Sequence, residues 1–234
     1  MGRRAGWSAM LVGAIALMSP QTGFAQSYGQ TSAGISYIAG PNFLGTRAVP
    51  IRADRFSDSL RRAREDATAS PNMQRLIAPA RNLPPLQKLA FIQQAVTNNI
   101  HWISDATEWG QHDYWASASQ TLAHGAGDAK NRAIVKFQAL RALGFRNSDL
   151  FLTLARDSVG GPLTVVTVRT AGRYYIMDDT GSPPFAAEQR RLEFQPQMSF
   201  GMYGAWVHLQ SAQAPLRPTT IASARSDSSI VARR

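Results

Sequence analysis

Apolar residues recur at three- and four-residue steps through the first part of the chain. After about residue 145 they recur at two-residue steps or in short runs. In the first part, Phe56, Leu60 and Ala63 predict a helix over 53–64, which Ser70-Pro71-Asn72 ends, and Met73–Ile77 predicts a short helical piece before Pro79. Leu86, Leu89, Ile92, Val96 and Ile100 form the apolar face of a helix that Pro84 and Pro85 start. The strongest pattern is GAGDAKNRAIVKFQALRALG, over 125–144. Ile134, Phe137, Leu140 and Leu143, with Ala133, share one face, and Lys130, Arg132, Lys136 and Arg141 fall elsewhere on the wheel. Asp128 stands at the N-cap and Gly144 just past the C-terminus. The helix therefore starts near Ala129, where unpaired N–H groups and a partial positive charge meet solvent. In the second part, Leu150–Leu154, Leu163–Val168 and Tyr174–Met177 read as strands separated by Gly160-Gly161-Pro162 and Ala171-Gly172. Phe194–Phe200 and Gly204–Val207 read as two more. Helices first and strands afterwards imply an α+β fold rather than alternating βαβ units.

The glycine-rich turn and its helix resemble the nucleophile segment of the bacterial transglutaminase-like cysteine peptidases (LapG-like, papain-type). In that family a turn reading roughly GxGDC is followed by two acids, an aromatic and a helix such as AIAKYxxLRxLG. Here Gly125-Ala126-Gly127-Asp128 is followed by Ala129 at the cysteine position, and Lys130, Asn131 and Arg132 replace the two acids and the aromatic. Phe43-Leu44-Gly45-Thr46 resembles the family's opening FGT, and Gly110–Ala116 its xADYWATP approach to the nucleophile. The resemblance runs over 43–209. It implies a papain-like, transglutaminase-like fold, with N-terminal helices and a central nucleophile-type helix packed on a mainly antiparallel sheet.

The family chemistry needs a thiolate at the helix start, an imidazole on a neighbouring strand and a carboxylate to orient it. The family histidine opens a strand like HAVLxV, and Leu163 takes that position here, 34 residues after Ala129. The family aspartate closes the next strand, and Asp178 takes its position. The triad positions thus read Ala129, Leu163 and Asp178, and neither a methyl nor an isobutyl group attacks a carbonyl or carries a proton. The chain has no cysteine at all. A constructed Cys→Ala exchange accounts for Ala129 alone, whereas concerted change at Leu163 and at 130–132 points to natural divergence. The resemblance therefore implies an inactive homologue that acts by binding. Its expected partner is an unidentified peptide or protein of the periplasm, such as an active paralogue or its receptor.

Two rival readings stay open. A relocated nucleophile would use Ser117 or Ser119, near His112 and His124 in sequence. A structural envelope protein would use the formal net charge of +10 to hold acidic polysaccharide. No basic recognition helix or RNP-type strand suggests nucleic acid.

Four more residues are candidate ligand contacts. Trp115 either packs the base of the cleft or offers a platform. Lys130 and Arg132 either hold an anion at the helix start or are solvated. Asp128 is either a plain cap or a remnant of the acids that one branch of the family associates with calcium. Lys130 follows in place of the second acid, and a cation there opposes a hard divalent ion, so no calcium site is expected. His101, His112, His124 and His208 lack zinc spacing, and no metal or other cofactor is expected.

The ends supply the address. Arg3 and Arg4, the apolar run Trp7–Met18 and Gly23-Phe24-Ala25 read as a secretory signal over 1–25. A flexible lead-in over 26–42 and a disordered tail over 210–234 flank the domain. The expected location is the periplasm, with no membrane span after cleavage.

Overall fold

In a computed structural model the chain divides into two units, Met1–Tyr37 and Ile38–Arg234. The structure describes residues 40–190 and 193–210, all in the second unit. The expected signal segment, most of the lead-in and nearly all of the expected tail lie outside the described residues.

Seven antiparallel strands form one sheet, in the order β1-β9-β8-β4-β5-β6-β7. They are β1 (Thr46–Pro50), β4 (Leu150–Asp157), β5 (Pro162–Thr170), β6 (Arg173–Met177), β7 (Phe185–Ala186), β8 (Phe194–Phe200) and β9 (Ala205–Gln210). β2 (His101–Trp102) and β3 (Ala126–Gly127) form a separate parallel pair. The helices are α1 (Ser57–Ala63), α2 (Pro71–Ile77), α3 (Pro85–Asn99), α4 (Asp105–Trp109), α5 (Ala118–His124) and α6 (Ala129–Ala142). The observed order of elements bears out the expected α+β class. The two-residue strands and α5 carry too little periodicity to show in the hydrophobic pattern, although Ser117 and Gln120 form a capping box that marks the start of α5.

The sheet buries both faces, and side-chain alternation assigns each residue to one. On one face Leu150, Leu152, Val166, Val168, Met177 and Phe200 pack with α1, α2, α3 and α6 in the main core. On the other, Phe43, Ala155, Val165, Ile176 and Phe194 form a second cluster, joined by Leu163 and Tyr174. α6 lies against β4 and β5 on the first face, with α3 and α5 beside it. It is buried along 130–140, on all sides, and its polar residues go inside with the apolar ones. The alternative that Lys130 and Arg132 are solvated is therefore corrected, and Lys136 is buried with them. Each reaches a fixed acceptor in the surrounding elements, and this is what makes burial of their charge tolerable.

Candidate functional site

The site is built from the start of α6 upward. β3 delivers the chain to Gly127, where a Cβ would come within 2.9 Å of the Asn131 Cβ and 3.1 Å of the Thr121 Cγ2. Only glycine lets the turn close this tightly onto α5 and α6. Asp128 follows as N-cap, with Oδ1 accepting from Asn131 N–H at 3.0 Å. Ala129, half-buried, is the first helical residue. Trp102 of β2 pairs with Gly127 and stands 63% exposed beside this turn.

Asp178 and Asp179 close β6 and meet α6 at positions 132 and 136, the row that begins with Ala129 three and four residues apart. Arg132, 7% exposed, donates from Nη1 to both Asp179 oxygens at 2.9 and 3.0 Å. Its other nitrogens donate to the carbonyls of Thr97 and Ile100 at the end of α3. Burial raises the Asp179 carboxyl above the usual carboxylate range, while Arg132 and Lys136 pull it down. Lys136, fully buried, donates to the Asp178 carbonyl oxygen, and burial lowers its ammonium from 10.5 to about 8. The Asp178 carboxylate accepts from Thr180 N and Oγ1 at 3.1 and 2.8 Å and from Gln93 Nε2 at 3.4 Å.

The structure thus brings Asp178 to the α6 row of Ala129 but does not bring Leu163 there. Leu163 packs in the second cluster, on the face turned away from α6, and the neighbouring residue on the α6 face is Thr164. A shift of one residue in a strand exchanges its faces, so order along a motif does not fix the face a residue takes. The carboxylate gripped from α6 is Asp179, which the sequence reading passed over. The Asp-Asp doublet at a strand end, read for alternation, is the signal that finds it.

The remaining candidates are already occupied. Trp115, 2% exposed, packs on Phe56 and Phe200 and is a base to the core rather than a platform. Lys130 and Arg132 are paired inside the protein, so neither is free to hold an anion. Ser117, 1% exposed, has its Oγ committed as the cap of α5. His124 binds Glu108 at 2.6 Å and stacks on Trp109.

The serine hydrogen-bonded to an imidazole among the described residues is Ser199, with its Oγ 2.8 Å from His208 Nε2. Both are buried on the far face. Their hydrogen bonds run in one direction. Thr46 Oγ1 donates to the Phe43 carbonyl, so it must accept from His208 Nδ1–H at 2.8 Å. His208 Nε2 is then the acceptor, Ser199 donates to it, Thr153 donates to Ser199, and Thr167 donates to Thr153. This chain stitches five strands together and offers no route for a substrate. Three surface clefts of about 590, 450 and 360 Å³ open elsewhere, and Ala129 lines none of them.

The calcium that the family resemblance raises can be tested on the residues present. Asp128 Oδ2 and Asp105 Oδ2 lie 2.7 and 2.5 Å from Lys130 Nζ, whose ammonium holds the place between them. The residues do not fit a bound divalent ion.

Helices in front, an antiparallel sheet behind and a capped central helix facing a strand-end aspartate pair define an α+β protein of the papain-like, transglutaminase-like class. The family model for bacterial transglutaminase-like cysteine proteinases matches residues 49–214, and the chain belongs to that family. Legionella pneumophila LapG in its calcium-bound form is 22% identical, covers 67% of this chain and 88% of its own, and superposes with a TM-score of 0.51. The EGTA-treated form is 21% identical, with 68% and 87% covered and a TM-score of 0.51. At such identities the likeness shows the fold. No curated protein matches the chain.

Proposed function

We propose that this protein is an exported, catalytically silent homologue of the transglutaminase-like cysteine peptidases that acts by binding a peptide or protein segment at the start of α6. The observation that carries the reading is the content of that site. A methyl group stands at the first helical position, the chain holds no cysteine, and β5 and β6 offer no histidine on their α6 face. The acids and bases nearby are spent on one another: Arg132 on Asp179, Lys136 on the Asp178 carbonyl, Lys130 on Asp105 and Asp128. Export is supported by the basic and apolar N-terminal pattern. No helix among the described residues is long and apolar enough to cross a membrane.

The test is a pull-down from periplasmic extract with the chain lacking 1–25, repeated with Ala129→Trp. A specific partner that is lost with the indole supports the reading, and an unchanged partner set counts against it. In parallel, the purified chain is expected to leave unfolded protein and peptide libraries uncut, and Ala129→Cys alone is expected to stay inactive for want of an imidazole. Turnover by the unaltered chain that Ser117→Ala abolishes would move the assignment to a relocated serine hydrolase.

A further inference from the structure

Around the start of α6 an all-oxygen ring encloses a side-chain ammonium. Lys130 Nζ lies 2.5 Å from Asp105 Oδ2, 2.7 Å from Asp128 Oδ2, 3.4 Å from the Tyr114 carbonyl oxygen and 3.6 Å from Asp113 Oδ1. The ring is organised beyond these contacts. Asp105 Oδ2 also accepts from Tyr114 N–H at 2.6 Å, and its Oδ1 accepts from Asn131 Nδ2 at 3.0 Å. Asn131 Oδ1 in turn takes Ala116 N–H at 3.0 Å. The Lys130 and Asp105 side chains are 11% and 2% exposed. Burial works against the Lys130 charge, but hydrogen bonds to Asp105 and Asp128 outweigh it and hold the ammonium above the ordinary lysine range.

As they stand these acids form no group of three able to hold a metal ion among the described residues, but carboxylate and carbonyl oxygens gathered around one point are the donor type a hard divalent cation takes. A single ammonium meets the same need differently. Its three N–H donors point outward, it neutralises one charge, and it cannot dissociate because it is covalently part of the helix it stabilises. The acids come from α4, from the 113–114 loop and from the N-cap, so whatever cation sits between them fixes the approach to Ala129. The presence of LapG in calcium-bound and EGTA-treated forms among the relatives makes the contrast concrete.

We propose that Lys130 is a tethered replacement for a divalent cation, and that it makes the start of α6 independent of calcium. The inference stands whether or not the chain binds a peptide at Ala129. Removing the ammonium should leave the carboxylates in need of a free ion.

The experiment measures thermal unfolding and isothermal calorimetry of the wild-type chain, Lys130→Ala, and Lys130→Ala with Asp105→Asn, each in millimolar calcium and in EDTA. Wild type is expected to melt at the same temperature in both and to release no heat on calcium titration. Lys130→Ala is expected to melt lower in EDTA by on the order of 10 °C, the scale for one buried partner removed from an ion pair in a domain this size. Calcium should return most of that loss, and Asp105→Asn should abolish the rescue. If Lys130→Ala does not fold in EDTA, refolding from urea in calcium supports the proposal and equal failure in both buffers overturns it. A calcium-dependent shift in wild type, or a Lys130→Ala chain that melts like wild type, also overturns it.

Discussion

At the scale of single residues, the distinctive feature is how α6 disposes of its charges. Arg132 is the clearest case. Its guanidinium makes bonds to the carbonyls of Thr97 and Ile100 and to one carboxylate, and no water is needed to satisfy it. Replacing it by Ala strands Asp179 and the Ile100 carbonyl, so Arg132→Ala should cost about 3 kcal/mol in urea unfolding. Arg132→Met combined with Asp179→Asn should cost less than the sum of the two single changes, because the neutral amide no longer needs a cation. Additive losses would show that the pair is not coupled. Part of this was legible in the sequence. Asp128, Ala133, Ile134, Phe137, Leu140 and Gly144 define the helix and its ends without help. The burial of Lys130, Arg132 and Lys136 was not legible. A cation off the apolar stripe reads as solvated until its partners are known, and Asp105, Asp178 and Asp179 lie 25 to 47 positions away in sequence.

At the scale of elements, the sheet holds a second ordered polar system. The one-way chain from Thr167 to Thr46 runs through β5, β4, β8, β9 and β1, and depends on a neutral His208 with its proton on Nδ1. Burial lowers His208 from 6.5 to about 4. The unfolded chain therefore takes up a proton near pH 6.5 that the folded chain refuses until about pH 4. The stability tied to neutral His208 is fully present above pH 6.5 and falls away as pH drops toward 4. It amounts to no more than about 3 kcal/mol. Urea midpoints measured across that range should show a slope in wild type that flattens in His208→Asn; parallel slopes would remove His208 as the cause. The strands themselves were legible from their period of two. The exchange between Leu163 and Thr164 was not, because a motif fixes the order of residues and only the register against β4 and β6 fixes the face. The edge strand β1, in Thr46–Pro50, ends in a proline and its pattern is too short to assert itself.

At the scale of the whole molecule, the α+β architecture of the transglutaminase-like cysteine proteinases is present in a chain that holds no cysteine. The capped start of α6 and the two aspartates that follow β6 are in place, and the charged side chains around them are tied into the scaffold. The α+β class was legible from the helices and the switch of period after them, which local spacing dictates, while the papain-like arrangement was legible only through the family resemblance. The site was legible only in part, since its content is decided by contacts between α3, α4, α6 and β6 that no local pattern encodes. One feature of the site also makes occupancy measurable. Trp102 is largely exposed beside Gly127, whereas Trp115 and Trp206 are buried. Its indole should emit at the long wavelengths of a hydrated ring. A segment settling over the first turn of α6 would strip that water and shift the emission to the blue, and Trp102→Phe would erase the shift. Trp102 is thus an intrinsic reporter for the first turn of α6, and titrating candidate segments needs no added label.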